Sequence, residues 1–356
     1  MAVYIKGMGN ISPQKTWGED ALLSQVIDYR GDQVRCVEPD YTQWLDSKQL
    51  RRMSRILKMG AASAFIAMKE SGIEKPDAII TGTGYGCLDD TGIFLGKMVE
   101  SNEQTLNPTP FIQSTHNTIG SSIALLQQCQ GYNQTYVQGA FSFENSLLDA
   151  IVLLKEEPQL KVLLGGIDES TPASHAILNR FNIYRHNLPG TLNLFKTKAK
   201  GTVHGEGSAF FVLSADNGDH DVAAVQGLTT FYKATGAEIS TGIDRLLSDH
   251  GVRCSEIDFV LLGRSGDDRS DKILNEVTTR LFPTSSIGLF KHLCGEYPVA
   301  SAFGLWLAAR ILKDHHIPDV VVYKDTGKRL RNILVFNQYF GTYHSAILLK
   351  SCRDTL

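Results

Sequence analysis

The chain has 356 residues, 42% of them hydrophobic and 21% charged, with a formal net charge of −3. That charge fraction is too low for a disordered chain, and the near-neutral balance gives no support for nucleic-acid binding. No run of about 18 apolar residues occurs, which excludes a membrane-spanning helix. The length suits one large α/β protein of two halves. The opening stretch MAVYIKGMG reads as a strand entering a turn, without the basic-then-apolar pattern of a secretion signal. Cys36, Cys87, Cys129, Cys254, Cys294 and Cys352 lie far apart with no CxxC pair. A zinc site therefore has no support, and reduced thiols in the cytoplasm are expected.

Short apolar runs bounded by Gly and Asp predict strands over 3–6, 78–81, 135–138, 162–164, 209–213 and 222–225. Five more are predicted over 259–262, 286–289, 320–323, 333–337 and 345–348. A helix is predicted over 49–70, with Ile56, Gly60, Ala64 and Ala67 on one stripe and Gly72 as its stop. Helices over 119–128, 143–155 and 301–312 carry little charge, so burial in a layered protein is expected. Alternating β and α points to a parallel or mixed sheet covered by helices. Residues 186–202 lack periodicity and read as a surface excursion. The polar loop 214–221 divides the chain into 1–215 and 216–356, each with strand–helix–strand units and one Gly-flanked buried helix.

Most cofactor and catalytic motifs fail. Gly82-Thr-Gly-Tyr-Gly86 follows a strand, but its GxGxG spacing is not the dinucleotide GxGxxG, and a tight turn is the better reading. There is no GxxxxGK[ST], no HExxH and no GxSxG. Asp267, Asp268 and Asp271 read as a solvated loop opening a helix at Asp271 rather than a cation site. His315-His316 reads as the end of a helix. No cofactor and no metal is expected.

Several stretches together resemble the β-ketoacyl-acyl-carrier-protein synthases of the thiolase fold. Residues 3–13 (VYIKGMGNISP) look like their first strand and turn, and 117–150 like the nucleophile region. Val162-Leu-Leu-Gly-Gly-Ile-Asp-Glu169 resembles the strand that follows, and Gly201-Thr-Val-His-Gly-Glu-Gly207 is the most specific match. Residues 291–295 resemble the Lys-x-x-x-Gly-His segment, and Phe340-Gly341-Thr342 the closing Gly-Phe-Gly-Gly-Thr-Asn loop. The resemblance implies an α/β thiolase-like fold. Two similar halves, each a mixed five-stranded sheet, would pack with helices in αβαβα layers.

The family's chemistry uses a cysteine at the N-terminus of a buried helix and two histidines from the second half. The resemblance puts Ala140 at the cysteine position, Gly263 at the first histidine and Glu296 at the second. It keeps Lys291, the supporting lysine, and Phe340, the gating phenylalanine. Ser142 would need a base, and Cys129 lies at the end of the preceding helix. His116, His204, His292 and His344 are the nearest replacement bases.

The expected function is therefore a β-ketoacyl synthase-like protein of fatty-acid, polyketide or polyene biosynthesis that does not itself condense. It would act as a chain-length-factor-like partner of an active ketosynthase, as a heterodimer, or otherwise form a homodimer, with residues 135–138 pairing across the interface. An active 3-oxoacyl synthase or acyltransferase with an unusual site is the alternative, and an acyl- or carrier-binding scaffold the third. Carrier proteins are acidic, so Lys196, Lys198 and Lys200, with Arg51, Arg52 and Lys58, are candidate contacts.

Overall fold

The computed structural model describes residues 2–18, 22–104, 106–219 and 221–352. Five strands come from the first half: β1 (Val3–Ile11), β2 (Ala78–Gly82), β3 (Asn133–Tyr136), β4 (Lys161–Asp168) and β5 (Gly207–Ser214). Six follow: β6 (Ala223–Tyr232), β7 (Phe259–Gly263), β8 (Ser286–Leu289), β9 (Val322–Lys324), β10 (Asn332–Tyr339) and β11 (Tyr343–Lys350). The first-half helices are α1 (Ser47–Leu50), α2 (Arg55–Ser71), α3 (Leu88–Glu100), α4 (Pro108–Gln113), α5 (Thr118–Gln127), α6 (Ser142–Glu156) and α7 (Pro172–Asn179). Those of the second half are α8 (Gly236–Asp249), α9 (Lys272–Leu281), α10 (Lys291–Cys294) and α11 (Ala300–Asp314).

The strand order is β3-β2-β4-β5-β1-β6-β11-β10-β7-β8-β9. Read outward from the β1–β6 seam, both halves repeat one plan. The first strand pairs antiparallel with the last, the last antiparallel with the one before it, and the remaining pairs are parallel. β9 is an extra edge strand. At the seam, β1 and β6 pair only from Val3 to Ile5.

The layers follow from period-two alternation along strands that are apolar on both faces. Ile80, Leu164, Phe211 and Leu213 join Phe259, Leu261, Val335 and Ile347 in one central core, together with α6 and α11. Their neighbours Ile79, Leu163, Phe210 and Val212 face outward against α2 and α5. In the second half Val260, Leu262, Leu334 and Phe336 face outward against α8 and α9. The result is the expected αβαβα sandwich, with α6 and α11 in the middle layer.

Three local expectations change. The helix expected over 49–70 is two helices, because Ser54 is extended (φ −68°, ψ 169°) and restarts the chain. The 186–202 segment is not merely a surface excursion; Leu188 and Leu194 pack with Val34 and Val203 in a small core of their own. α5 and α6 are apolar but not fully covered: Leu125, Leu148 and Val152 stay exposed.

Candidate functional site

Of the sequence-derived positions, Ala140 precedes α6, and Lys291 and Glu296 precede α11. Ala140 sits in a 3-10 turn, Gly139–Phe141, that runs into α6. Gly139 opens the turn with φ +56°. Ser142 braces it: its Oγ accepts from Gln138 N (2.8 Å) and donates to Gly139 O (2.8 Å). That hydroxyl is committed to the turn. The Phe141 and Tyr343 ring centroids lie 5.0 Å apart in an edge-to-face pair, which ties the turn to β11.

The Gly82–Gly86 turn is fixed from below. A Cβ on Gly82 would lie 2.4 Å from Ser142 O, and one on Gly84 would lie 2.4 Å from Pro298 Cβ. Only glycine admits both approaches. At the end of β4, the Asp168 carboxylate accepts from Thr83 Oγ1 (2.8 Å), Gly84 N (2.9 Å), Tyr85 N (2.9 Å) and Val299 N (3.3 Å). The turn's backbone donors are thus spent on a protein carboxylate. Burial pushes Asp168 up to about 6, against the pull of these bonds.

Lys291 opens α10, and Glu296 follows Gly295, whose φ of +74° turns the chain back. Both side chains are fully buried, with Lys291 Nζ 2.7 Å from Glu296 Oε1. Nζ also donates to the Gln338 carbonyl. Glu296 Oε2 has no partner among the described residues. Burial pushes the Glu296 carboxyl up to about 7, with Lys291 pulling the other way. Tyr85 and Tyr339 share a hydroxyl–hydroxyl contact of 2.8 Å close by. Burial lifts Tyr85 to about 12, and the charges of Asp168 and Glu296 raise it too.

Gly263 ends β7 opposite Asn337 of β10. A Cβ there would lie 2.0 Å from Asn337 Oδ1. Beyond it, Asp271 accepts from Ser265 N (2.7 Å), Ser265 Oγ (3.0 Å), Gly266 N (2.9 Å) and Gln338 Nε2 (3.2 Å), and it stands at the N-cap of α9. Gln338 Oε1 accepts from Gly341 N (2.7 Å). The half-buried Phe340 sits at the tip of the β10–β11 hairpin with φ +48°, a strained value for a bulky side chain.

The candidate bases divide. His116 is exposed beside Gly86. His204 is buried, and its Nδ1 lies 3.2 Å from Ser170 Oγ. It stacks with His175 and Tyr184 at 5.4 and 4.9 Å. His292 Nε2 bonds the Val320 carbonyl (2.9 Å). His344 is buried, with neither ring nitrogen partnered among the described residues. Burial holds His204, His292 and His344 each down at about 4, so all three are neutral imidazoles at pH 7. Lys196, Lys198 and Lys200 are exposed, and so are Arg51 and Arg52, while Lys58 is half-buried. Lys200 lines a pocket of about 250 Å³ with Phe181, Ile183, Arg269 and Phe340.

Sequence reasoning missed Tyr85, Tyr339 and Gln338. The turn glycines point to a close approach at Tyr85, but nothing local marks the other two.

Residues 30–205 match the family described as "Beta-ketoacyl synthase, N-terminal domain". No curated protein matches the chain. Among solved structures, the ishigamide ketosynthase/chain length factor aligns with a TM-score of 0.78 at 19% identity, covering 98% of this chain and 99% of that one. A beta-ketoacyl synthase from Burkholderia phymatum aligns at 0.79 and 17%, covering 99% and 100%. A type II PKS acyl-carrier protein in complex with its ketosynthase, bound to the hexaketide, gives 0.76 and 14%, covering 98% and 99%. The chain shares the fold of these structures over nearly its whole length, and residues 30–205 are similar to that family's N-terminal domain.

Proposed function

We propose that this ketosynthase-like chain is a non-condensing, chain-length-factor-like subunit that pairs with an active ketosynthase and meets an acyl-carrier protein. The observation that carries the reading is the side-chain inventory at the N-termini of α6 and α11. Condensation needs a nucleophile and groups that stabilise developing negative charge. Ala140 has no nucleophile, and the Ser142 hydroxyl is held in the turn. The Cys294 thiol bonds Gly295 O at 3.4 Å, and burial pushes its pKa up. Lys291 is engaged by Glu296 at 2.7 Å, and the Glu296 carboxylate, once ionised, would repel an enolate.

A partner subunit is supported by the outer edge of the sheet. β3 pairs only with β2 among the described residues, so its other edge is open. Exposed Tyr132, Val137, Leu148 and Val152 surround it. An open edge flanked by apolar side chains is the surface that a second chain covers. This favours dimer formation at β3, with a ketosynthase or with a second copy of this chain. The structural neighbours include a ketosynthase/chain length factor and a carrier-protein complex, which lends support by fold alone. The exposed Lys196, Lys198 and Lys200, the last of which lines the Phe340 pocket, suit an acidic carrier. No helix among the described residues is long and apolar enough to cross a membrane, and a cytoplasmic site of action is part of the proposal.

The test is incubation of the purified chain with malonyl- and acyl-carrier protein, followed by intact mass. No covalent adduct and no decarboxylation are expected. Co-expression with a Cys-bearing ketosynthase should yield a co-purifying pair. An acyl adduct on the chain alone would overturn the reading in favour of an active enzyme.

A further inference from the structure

A cavity of about 620 Å³ opens to solvent between the C-terminal ends of α2 and α11. None of Ala140, Gly263, Lys291, Glu296 and Phe340 lines it, and the proposed function gives it no role. Its walls draw on both apolar layers. Trp306 belongs to the central core, where its ring packs 5.6 Å from that of Phe303. Trp44 is half-buried and packs against the outer core beneath α2. Two of the three tryptophans in the chain therefore line one cavity.

The polar part of the lining offers donors and few acceptors. Neither the Trp44 nor the Trp306 Nε1 has a hydrogen-bond partner among the described residues, and neither does the exposed Lys69 ammonium. Trp306 is only 2% exposed, so its N–H is costly to leave unpaired. Glu70, the one acid among the lining residues, is taken on both oxygens: Oε1 pairs with Lys313 Nζ, and Oε2 accepts from Met8 N at 2.6 Å. Arg310 spends Nε and Nη2 on a single oxygen of Asp314, at 3.3 and 3.2 Å. Lys69 and Lys313 stand in the last turns of α2 and α11 and offset the partial negative charge of those helix ends, so a negative group is admitted. An indole offers a flat apolar face and a single donor at its edge. A cavity of this size with such walls suits a small flat molecule that carries acceptors.

We propose that this cavity binds a small planar aromatic or conjugated carboxylate, with its flat body against Trp44 and Trp306 and its carboxylate met by Lys69 and the indole N–H groups. The proposal does not rest on the non-condensing reading of the chain. The experiment titrates the full chain, carrying nitrogen-15 in its tryptophans, with 2-naphthoate at constant ionic strength, and follows the indole N–H signals by NMR. Single Trp→Phe variants assign the signals. Those of Trp44 and Trp306 should move saturably. Trp17, whose Nε1 already donates to Val37 O at 2.9 Å, should move least. Lys69→Gln alters an exposed side chain and should weaken binding about three- to fivefold. The uncharged 2-naphthalenemethanol should bind more weakly by at least that factor. No saturable movement at Trp44 and Trp306, or a response confined to Trp17, overturns the site. Equal binding of the alcohol, or affinity unchanged in Lys69→Gln, overturns the assignment of a carboxylate ligand.

Discussion

Lys291 Nζ stands 2.7 Å from Glu296 Oε1 with neither side chain exposed, so the two charges at the heart of the site answer each other. Removing one partner leaves an uncompensated charge in the interior. At pH 8, above the Glu296 value of about 7, Lys291→Met is expected to cost about 3–5 kcal/mol of stability. The double variant Lys291→Met/Glu296→Leu should recover most of that loss. Urea unfolding measures both, and a double variant no better than the single would show that the pair is not the cause.

The same pair predicts a pH dependence. The Glu296 carboxyl is raised from its ordinary 4.5 to about 7, by burial first. The folded protein then holds a proton that the unfolded chain releases earlier. The contribution to stability is full below about 4.5 and is lost as pH rises through about 7. Asp168, at about 6, and Glu169, at about 7, act with the same sign. His204, held at about 4, acts oppositely: its contribution is present above 6.5 and lost as pH falls through about 4. Glu296→Gln deletes only the first effect. Its stability relative to the parent chain should improve between pH 5 and 7, by up to about 1.4 kcal/mol per pH unit. A pH-independent difference would contradict the assignment.

Gly263 is required by Asn337. A Cβ at 263 would meet Asn337 Oδ1 at 2.0 Å. Gly263→Ala is expected to cost about 1–3 kcal/mol through overpacking, and Gly263→His more. Asn337→Ser should relieve part of the cost, which a double-mutant cycle reads as favourable coupling. Simple additivity would show that the crowding lies elsewhere.

Asp168→Asn tests the brace under the Gly82–Gly86 turn. An amide offers one acceptor oxygen where the carboxylate has two, so donors at Thr83, Gly84, Tyr85 or Val299 lose their partner. A loss of about 2–3 kcal/mol is expected, with faster hydrogen exchange at Gly84 and Tyr85. Unchanged exchange there would mean that Asp168 does not hold the turn.

Leu148→Glu/Val152→Glu places two charges on the exposed outer side of α6, beside β3. Both sites are solvent-facing in the single chain, so helicity and midpoint should not change. Sedimentation velocity should report a shift from dimer to monomer, or loss of the co-purifying ketosynthase. A dimer that persists would move the interface away from β3.

The alternation of strands and helices was legible in the sequence because strands buried on both faces are apolar runs. The boundaries were less so. β6 extends to Tyr232 although the apolar run stops at Val225, because β11 pairs with it along its length. α8 escaped prediction, although Thr235 and Glu238 form its capping box. The polar loop 214–221 connects β5 and β6 in sequence, and β1 lies between those two strands in the sheet.

What the sequence determined by itself is the layered α/β plan, the resemblance, and the kinds of side chain present at each position, including alanine at 140 and glycine at 263. These depend on local periodicity and on residue identity. Tertiary structure decided the partnerships. It brought Gln338 to Lys291, Asp168 to a turn more than 80 residues away, and Trp44 and Trp306 to one cavity. It also decided which carboxyls resist ionisation. Desolvation and contact depend on what surrounds a group in space, and no spacing along the chain encodes that.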